Sequence, residues 1–397
     1  MAFFQSKKWI AVYMVSLILS LWGCQSPQQT QDVAIIPQPL SMEKGSGTFS
    51  FSKETTIAVA NEEQRIIAEN FASLFTLPAG FTPQVKTGQE GDIVFLTDNT
   101  MKSDAYELTV LPERITIKAA DVKGFFYALQ NLRLMLPPTI EGKEKTTDTW
   151  SIPSLTIKDT PRFNYRGFML DVSRFFLPKE DLLRMIDCIA MLKINRLHLH
   201  LTDDNGWRLE IKKYPKLTEV GAWKVDRQNI PFPDRRNPKK GEPATIGGFY
   251  TQKDMKEIIR YAAEKQVEII PEIDVPAHSN AALASYPEFA CPVVKDFIGV
   301  LPGLGAKNSE IIFCAGNEGT FDFLQNILDE VIALFPSRYI NLGGDEAAKP
   351  TGKNVPSASH AYIKSIWKMK KNYKAILWQD CPTTYAVKGK KSWDGMN

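Results

Sequence analysis

The spacing of apolar and polar residues changes character near residue 160. Before that point short strand-like runs dominate, as in GDIVFLTD (91–98) and AYELTVLPERITIKAA (105–120). The second run alternates twice around Pro112-Glu113, the pattern of a hairpin. VKGFFYALQNLRLML (122–136) follows with apolar residues at helical spacing. Strands with a helix predict a small α+β domain over residues 35–160, and none of its residues forms a catalytic constellation.

From Pro161 the pattern becomes strand, polar loop, helix, repeated. RGFMLDV precedes the helical PKEDLLRMIDCIAMLKI, and INRLHLHL runs into TDDNGW and a long Pro/Gly loop before QKDMKEIIRYAAEKQ. VEIIPEID with VPAHSN, TFDFLQNILDEVIALF, YINLGGDE and KAILW continue the series. Alternating units of this kind predict a parallel sheet covered by helices. In barrels of that class the residues just past the strand ends build the site. Here those ends are polar: Arg166 and Asp171, His200 with Asp203-Asp204, Glu272 with Asp274, and Asp345-Glu346. Strand parity puts Leu197, Leu199 and Leu201 on one face and His198 and His200 on the other, so the histidines are expected inside. Glu272 and Asp274 share a face in the same way. In YINLGGDE, Asn341, Gly343 and Asp345 fall on one face. Glu346 reaches that face only if the backbone turns at the glycines, the residues best suited to permit it.

Composition narrows the class. At 44% hydrophobic content, 397 residues can fill a large core and two domains. A net charge of +3 without a long basic run argues against nucleic acid as a partner. Arg235-Arg236 and Lys239-Lys240 sit in the Pro-rich loop and are expected to be solvated. Lys7 and Lys8 precede an apolar run from Trp9 to Trp22 that ends in LWGC, too short for a membrane span and built like an export signal. Leu21, Gly23 and Cys24 resemble a bacterial lipoprotein signal. This predicts a signal over 1–24 with Cys24 lipidated, a polar tether over 25–34, and a periplasmic or cell-surface location with lipid attachment to the membrane. An uncleaved anchor and an ordinary cleaved signal are the alternatives. Cys291 and Cys314 flank one loop and could pair in an oxidising compartment. Cys188 is expected in the core, and without a CxxC spacing a structural zinc site is not expected.

In order along the chain, RGFMLDVSRFF, HLHLTDDNGWRLEIKKYPKLTEVGAW, EIIPEIDVPAHSNAAL and INLGGDEA resemble glycoside hydrolase family 20, the β-N-acetylhexosaminidases, over roughly residues 35 to 380. The resemblance implies a (β/α)8-type TIM barrel over 161–397 behind the accessory domain, with no metal or other cofactor. It implies glycan substrates ending in a β-linked N-acetylhexosamine. Family 20 departs from the two-carboxylate retaining scheme by using the substrate's own acetamide as nucleophile, through an oxazolinium. Carried over, Glu346 is the general acid and later base, and Asp345 steadies the acetamido nitrogen. The structural alternative is a solvated acidic pair at a helix start. Arg166 matches an arginine that holds the sugar 3- and 4-hydroxyls, with a salt bridge to Asp171 or Asp203 as the alternative. Asp203 and His278 match a pair that tunes the acid, supported by Asp274. His200 reads equally as a site residue or an interior structural one, and Trp378 matches a wall of the acetamido pocket.

The likeness has departures. Asn341 stands where the family usually has histidine. Only 19 residues follow Trp378, whereas the family supplies further strands carrying pocket residues there, with Trp393 as a remnant. The expectation is an incomplete barrel of about five of eight units, with weak or no turnover by this chain alone. An inactive sugar-binding paralogue is therefore a competing reading. A metal-dependent hydrolase using His198-x-His200 is another, although the chain has only four histidines.

Overall fold

The computed structural model describes residues 33–292, 294–304, 311–344 and 374–376. Among these, no helix is long and apolar enough to cross a membrane.

The first domain is one mixed sheet with two helices. Its strands are β1 (Ser41–Ser50), β2 (Thr56–Val59), β3 (Gln84–Thr87), β4 (Ile93–Thr97), β5 (Tyr106–Leu111), β6 (Arg114–Ala119) and β7 (Ser151–Asp159), in the order β1-β7-β5-β6-β4-β2-β3. The expected hairpin is present: Leu111 pairs with Arg114 across Pro112-Glu113. Helices α1 (Glu62–Ser73) and α2 (Val122–Met135) each start at a capping side chain, Asn61 and Asp121. They bury Ile67 and Phe71, and Phe125, Leu129 and Leu132, against the sheet. The Phe125 ring stacks on Phe95 of β4 with centroids 4.9 Å apart.

The second domain places five parallel strands in sequence order: β8 (Gly167–Asp171), β9 (Arg196–His200), β14 (Glu268–Glu272), β15 (Tyr339–Asn341) and β16 (Lys374–Ile376). Each coincides with one of the five runs read from the sequence. Between β9 and β14 lie two small hairpins, β10 (Thr202–Asp203) with β11 (Gly206–Trp207) and β12 (Trp223–Val225) with β13 (Ala244–Gly247). The helices are α3 (Lys179–Met191), α4 (Lys216–Glu219), α5 (Gln252–Glu264), α6 (Asn280–Ser285) and α7 (Glu318–Leu334). Strands that follow one another without reversal of order wind in one direction, the arrangement of a TIM-type barrel rather than of a doubly wound sheet. Among the described residues the sheet is not closed.

Strand parity holds as expected. Leu197, Leu199 and Leu201 are fully buried on the side where α3 contributes Leu182, Ile186 and Ile189 and α5 contributes Met255, Ile258 and Ala262. Cys188 does not share that burial. The buried positions of α3 step 182, 186, 189, 190, which leaves residue 188 on the solvent side. Cys291 and Cys314 are both buried free thiols. Burial, and then the neighbouring Cys314 thiol, push Cys291 up to about 12.

A polar seam joins the two domains below the strands. Lys193 (φ 60°) donates to the Tyr106 hydroxyl at 3.1 Å, and that hydroxyl donates to Asp159 at 2.9 Å. Arg166, one residue before β8, donates to Tyr127 Oη at 2.7 Å and to the Lys193 carbonyl at 2.8 Å, and lies 3.6 Å from Asp104. This corrects its expected role. Arg166 stands at the N-terminal end of β8, one strand length from Asp171, and its fork is occupied by Tyr127 and Asp104 of the first domain and by the Lys193 and Phe163 carbonyls. A strand of five residues spans roughly 17 Å at about 3.3 Å per residue, so a sugar at the C-terminal end is out of its reach. Its ion partner is Asp104, not Asp171 or Asp203.

Arg166→Met should therefore act on stability. The loss of donors to half-buried acceptors is expected to cost about 1–3 kcal/mol, read as a lower midpoint in urea or thermal unfolding.

Candidate active site

Register in the parallel sheet aligns one residue from each strand in a row. Asp171 of β8 pairs with His200 of β9, His200 with Glu272 of β14, and Glu272 with Asn341 of β15. In-register residues of a parallel sheet point the same way, so four polar side chains share the inner face at the C-terminal end. Glu272 is fully buried. Its Oε2 lies 2.5 Å from His198 Nε2 and 2.8 Å from His200 Nδ1. The other His200 nitrogen, Nε2, lies 2.9 Å from Asp203 Oδ2. Both His200 nitrogens thus face carboxylate oxygens, and each contact is favourable when that nitrogen carries a proton. Burial opposes the charge, but the bonds to Asp203 and Glu272 outweigh it and hold the His200 pKa up at about 10. Burial would likewise raise Glu272, yet the bonds from His198 and His200 bring it down to about 2.

Asp203 is the junction to the outer part of the site. Besides His200 it meets Arg174 Nη2 at 2.9 Å and His278 Nδ1 at 3.4 Å. His278 Nδ1 also lies 3.3 Å from Asp204 Oδ2. Burial works against protonation of His278, and the two carboxylates reverse this, raising it to about 12. Its backbone is left-handed, φ 48°, a strained state for histidine that the surrounding loop must hold. Arg174 is placed by Asp171, whose Oδ1 accepts the Ser173 and Arg174 amides while Oδ2 takes Arg174 Nη1 at 2.7 Å. About a third of the Arg174 side chain is open to solvent.

At the end of β15 the backbone turns at its two glycines. Gly343 and Gly344 have φ of 62° and 99°. Asn341 Oδ1 accepts the Gly343 amide at 3.0 Å, and Asp274 Oδ1 accepts that of Gly344 at 3.1 Å. A Cβ on Gly343 would lie 1.8 Å from Asp274 Oδ1, so glycine is required both for its conformation and for space. Asp345, Glu346, Trp378, Trp393 and Cys24 lie outside the described residues.

The structure therefore gathers Asp203, His200, His278 and Asp274 at one end of the sheet and leaves Arg166 at the other. Arg174 stands at the gathered end, and sequence reasoning passed it over. The signal was available, since Arg174 follows β8 whereas Arg166 precedes it. His198 and His200 meet on Glu272 Oε2, which takes the position between them that a zinc ion would need. Two trios have ligand atoms within 4.8 Å of one another, His200-Asp203-Asp274 and Asp203-Asp204-His278, and His198 belongs to neither.

The loops around the site are held by arginines that the sequence did not single out. Arg208 is fully buried and donates to the carbonyls of Val172, Ser173, Asn205, Ala222 and Gly248. Those carbonyls belong to the loops after β8 and β9. Burial brings the Arg208 pKa down to about 10. Arg235, expected in solvent, is buried instead, donating to Ile230 and Pro302 carbonyls and lying over the Phe175 and Phe232 rings. A guanidinium stays buried when rings and carbonyls take over from its water.

Comparison with known proteins bears on both domains. Residues 163–394 match the family model "Glycosyl hydrolase family 20, catalytic domain", and residues 32–160 match "Glycosyl hydrolase family 20, domain 2". A β-hexosaminidase of Porphyromonas gingivalis is 36% identical over 85% of this chain and 43% of its own length. One from Vibrio furnissii is 36% identical over 82% of this chain and 50% of its length. The chain spans about half the length of these curated relatives. Among solved structures, a mutant Streptomyces plicatus β-hexosaminidase in complex with product GlcNAc superposes with a TM-score of 0.75 at 33% identity, covering 87% of this chain and 65% of that one. A β-N-acetylhexosaminidase of Bacteroides fragilis gives a TM-score of 0.66 at 34% identity over 87% and 66%.

Two outcomes test this geometry. Arg208→Met strands five carbonyls and is expected to cost about 3 kcal/mol or more, measured by urea unfolding. His200 is raised in the folded state, so its contribution is full below pH 6.5 and is lost as pH rises through about 10. The unfolding midpoint should fall across that window, and His200→Gln should flatten the fall.

Proposed function

The chain belongs to glycosyl hydrolase family 20, and from that footing we propose that it removes terminal β-linked N-acetylhexosamine residues from glycans. The observation that carries the reading is the glycine turn at the end of β15. It is anchored by Asn341 and Asp274 at the same sheet end as Asp203, His278 and Arg174, and the sequence continues from it directly into Asp345-Glu346.

In this reading the sugar's acetamido oxygen attacks the anomeric carbon as the glycosidic bond breaks. Glu346 gives its proton to the departing oxygen, and Asp345 steadies the positive acetamido nitrogen of the oxazolinium. Water then adds at the same carbon while the Glu346 carboxylate takes the water's proton, so configuration is retained. Arg174 offers its guanidinium to the sugar hydroxyls, the role the sequence reading gave to Arg166. Support comes from its open side chain and its anchorage on Asp171 and Asp203. The negative field of Asp203 is largely met by Arg174, His200 and His278, which leaves it suited to orient rather than to transfer protons. We further propose export with a lipid on Cys24, supported by Lys7-Lys8, the apolar run and LWGC. Radiolabelled palmitate should enter the parent expressed in a bacterium and not Cys24→Ala.

The deciding assay is release of GlcNAc or GalNAc from chromogenic β-glycosides, with the anomer followed by NMR. Glu346→Gln should lower kcat by about 10²–10⁴ for substrates with poor leaving groups. Arg174→Lys should lower kcat/KM about ten-fold or more, the size of a charge-assisted hydrogen-bond pair. A parent that binds GlcNAc but never releases product would favour a sugar-binding role.

A further inference from the structure

Glu272 is fully buried, faces no solvent, and belongs to none of the groups assigned to substrate above. Two histidines of the neighbouring strand nevertheless converge on one of its oxygens. His198 and His200 are two residues apart on β9, so their rings stack along the inner face, and Glu272 is in register with the upper one. His200 then has a second partner on a different wall of the site. Its Nε2 meets Asp203 Oδ2 at 2.9 Å, and Asp203 holds Arg174. His198 Nε2 is taken up by Glu272 itself. The carboxylate is therefore linked through His200 and Asp203 to the Arg174 wall.

We propose that Glu272 is a positioning residue of this site: it fixes His200 toward Asp203, and so sets the wall that carries Arg174. The proposal rests on the reading that Arg174 holds the sugar. The other charged groups around the chain of bonds are Asp171 and Arg174 beyond β8, Asp203 and Asp204 beyond β9, and Asp274 and His278 beyond β14.

The test uses the whole chain with Glu272→Gln, first checked for folding by circular dichroism and thermal unfolding. Long-range ¹H–¹⁵N spectra report the protonation of each ring nitrogen. In the parent, both His200 nitrogens should stay protonated at pH 8. In Glu272→Gln the ring should lose its proton at least one pH unit lower than in the parent. With a chromogenic N-acetylglucosaminide, Glu272→Gln should lower kcat/KM ten-fold or more. An unchanged His200 signal in folded Glu272→Gln overturns the proposal whatever the activity. So does a loss of activity that follows the folded fraction alone. A parent without hydrolysis overturns the functional reading instead, and the histidine spectra still decide the role of Glu272.

Discussion

A carboxylate sealed inside a sheet is costly unless cations or donors surround it, and Glu272 meets that condition through His198 and His200. The interaction is mutual. Without Glu272 the buried His200 ring would have one carboxylate instead of two to favour its charge, and without the rings the buried Glu272 anion would lose two donors. Because the groups sit on adjacent strands in register, the condition is also a constraint on backbone geometry. A slip of one residue between β9 and β14 would turn the histidines toward the helices and leave the acid alone.

The loops above the sheet depend on a second buried charge. Arg208 has no carboxylate within hydrogen-bonding reach among the described residues and is satisfied by main-chain carbonyls from four stretches of chain. Gly206 must be glycine beside it, since a Cβ there would lie 2.1 Å from the guanidinium. Asn205 continues the tie outward, donating to the Leu301 and Gly303 carbonyls, and Arg235 reaches Pro302 in the same stretch. Asp203, between Thr202 and Asp204 in this stitched region, is thus held by main chain as well as by its ion pairs.

Much of this was legible in the chain itself. The five strand runs, the hairpin at Pro112-Glu113, the inward histidines and the turn at Gly343-Gly344 follow from periodicity and from the special freedom of glycine. What was misread shares one cause, that a residue's type does not say which end of a strand it serves or what covers it. Arg166 and Arg174 flank the same strand, and only the direction of β8 against the first domain puts one at the seam and the other at the end where Asp203 and His278 gather. Arg235 reads as solvated beside Arg236, and Cys188 reads as core within an apolar run. Rings brought from residues 175 and 232 bury the first, and helix phase exposes the second.

The sequence by itself determined the alternation of strand and helix, the face each strand residue takes, and the family motifs at the strand ends, because these depend on local spacing and local backbone freedom. The tertiary structure alone decided which polar groups meet. Register between β8, β9, β14 and β15 lines up Asp171, His200, Glu272 and Asn341, residues separated by up to 170 positions in the chain. Pairing energies of buried charges depend on ångström distances and on desolvation, and neither is encoded in the order of residues along one strand.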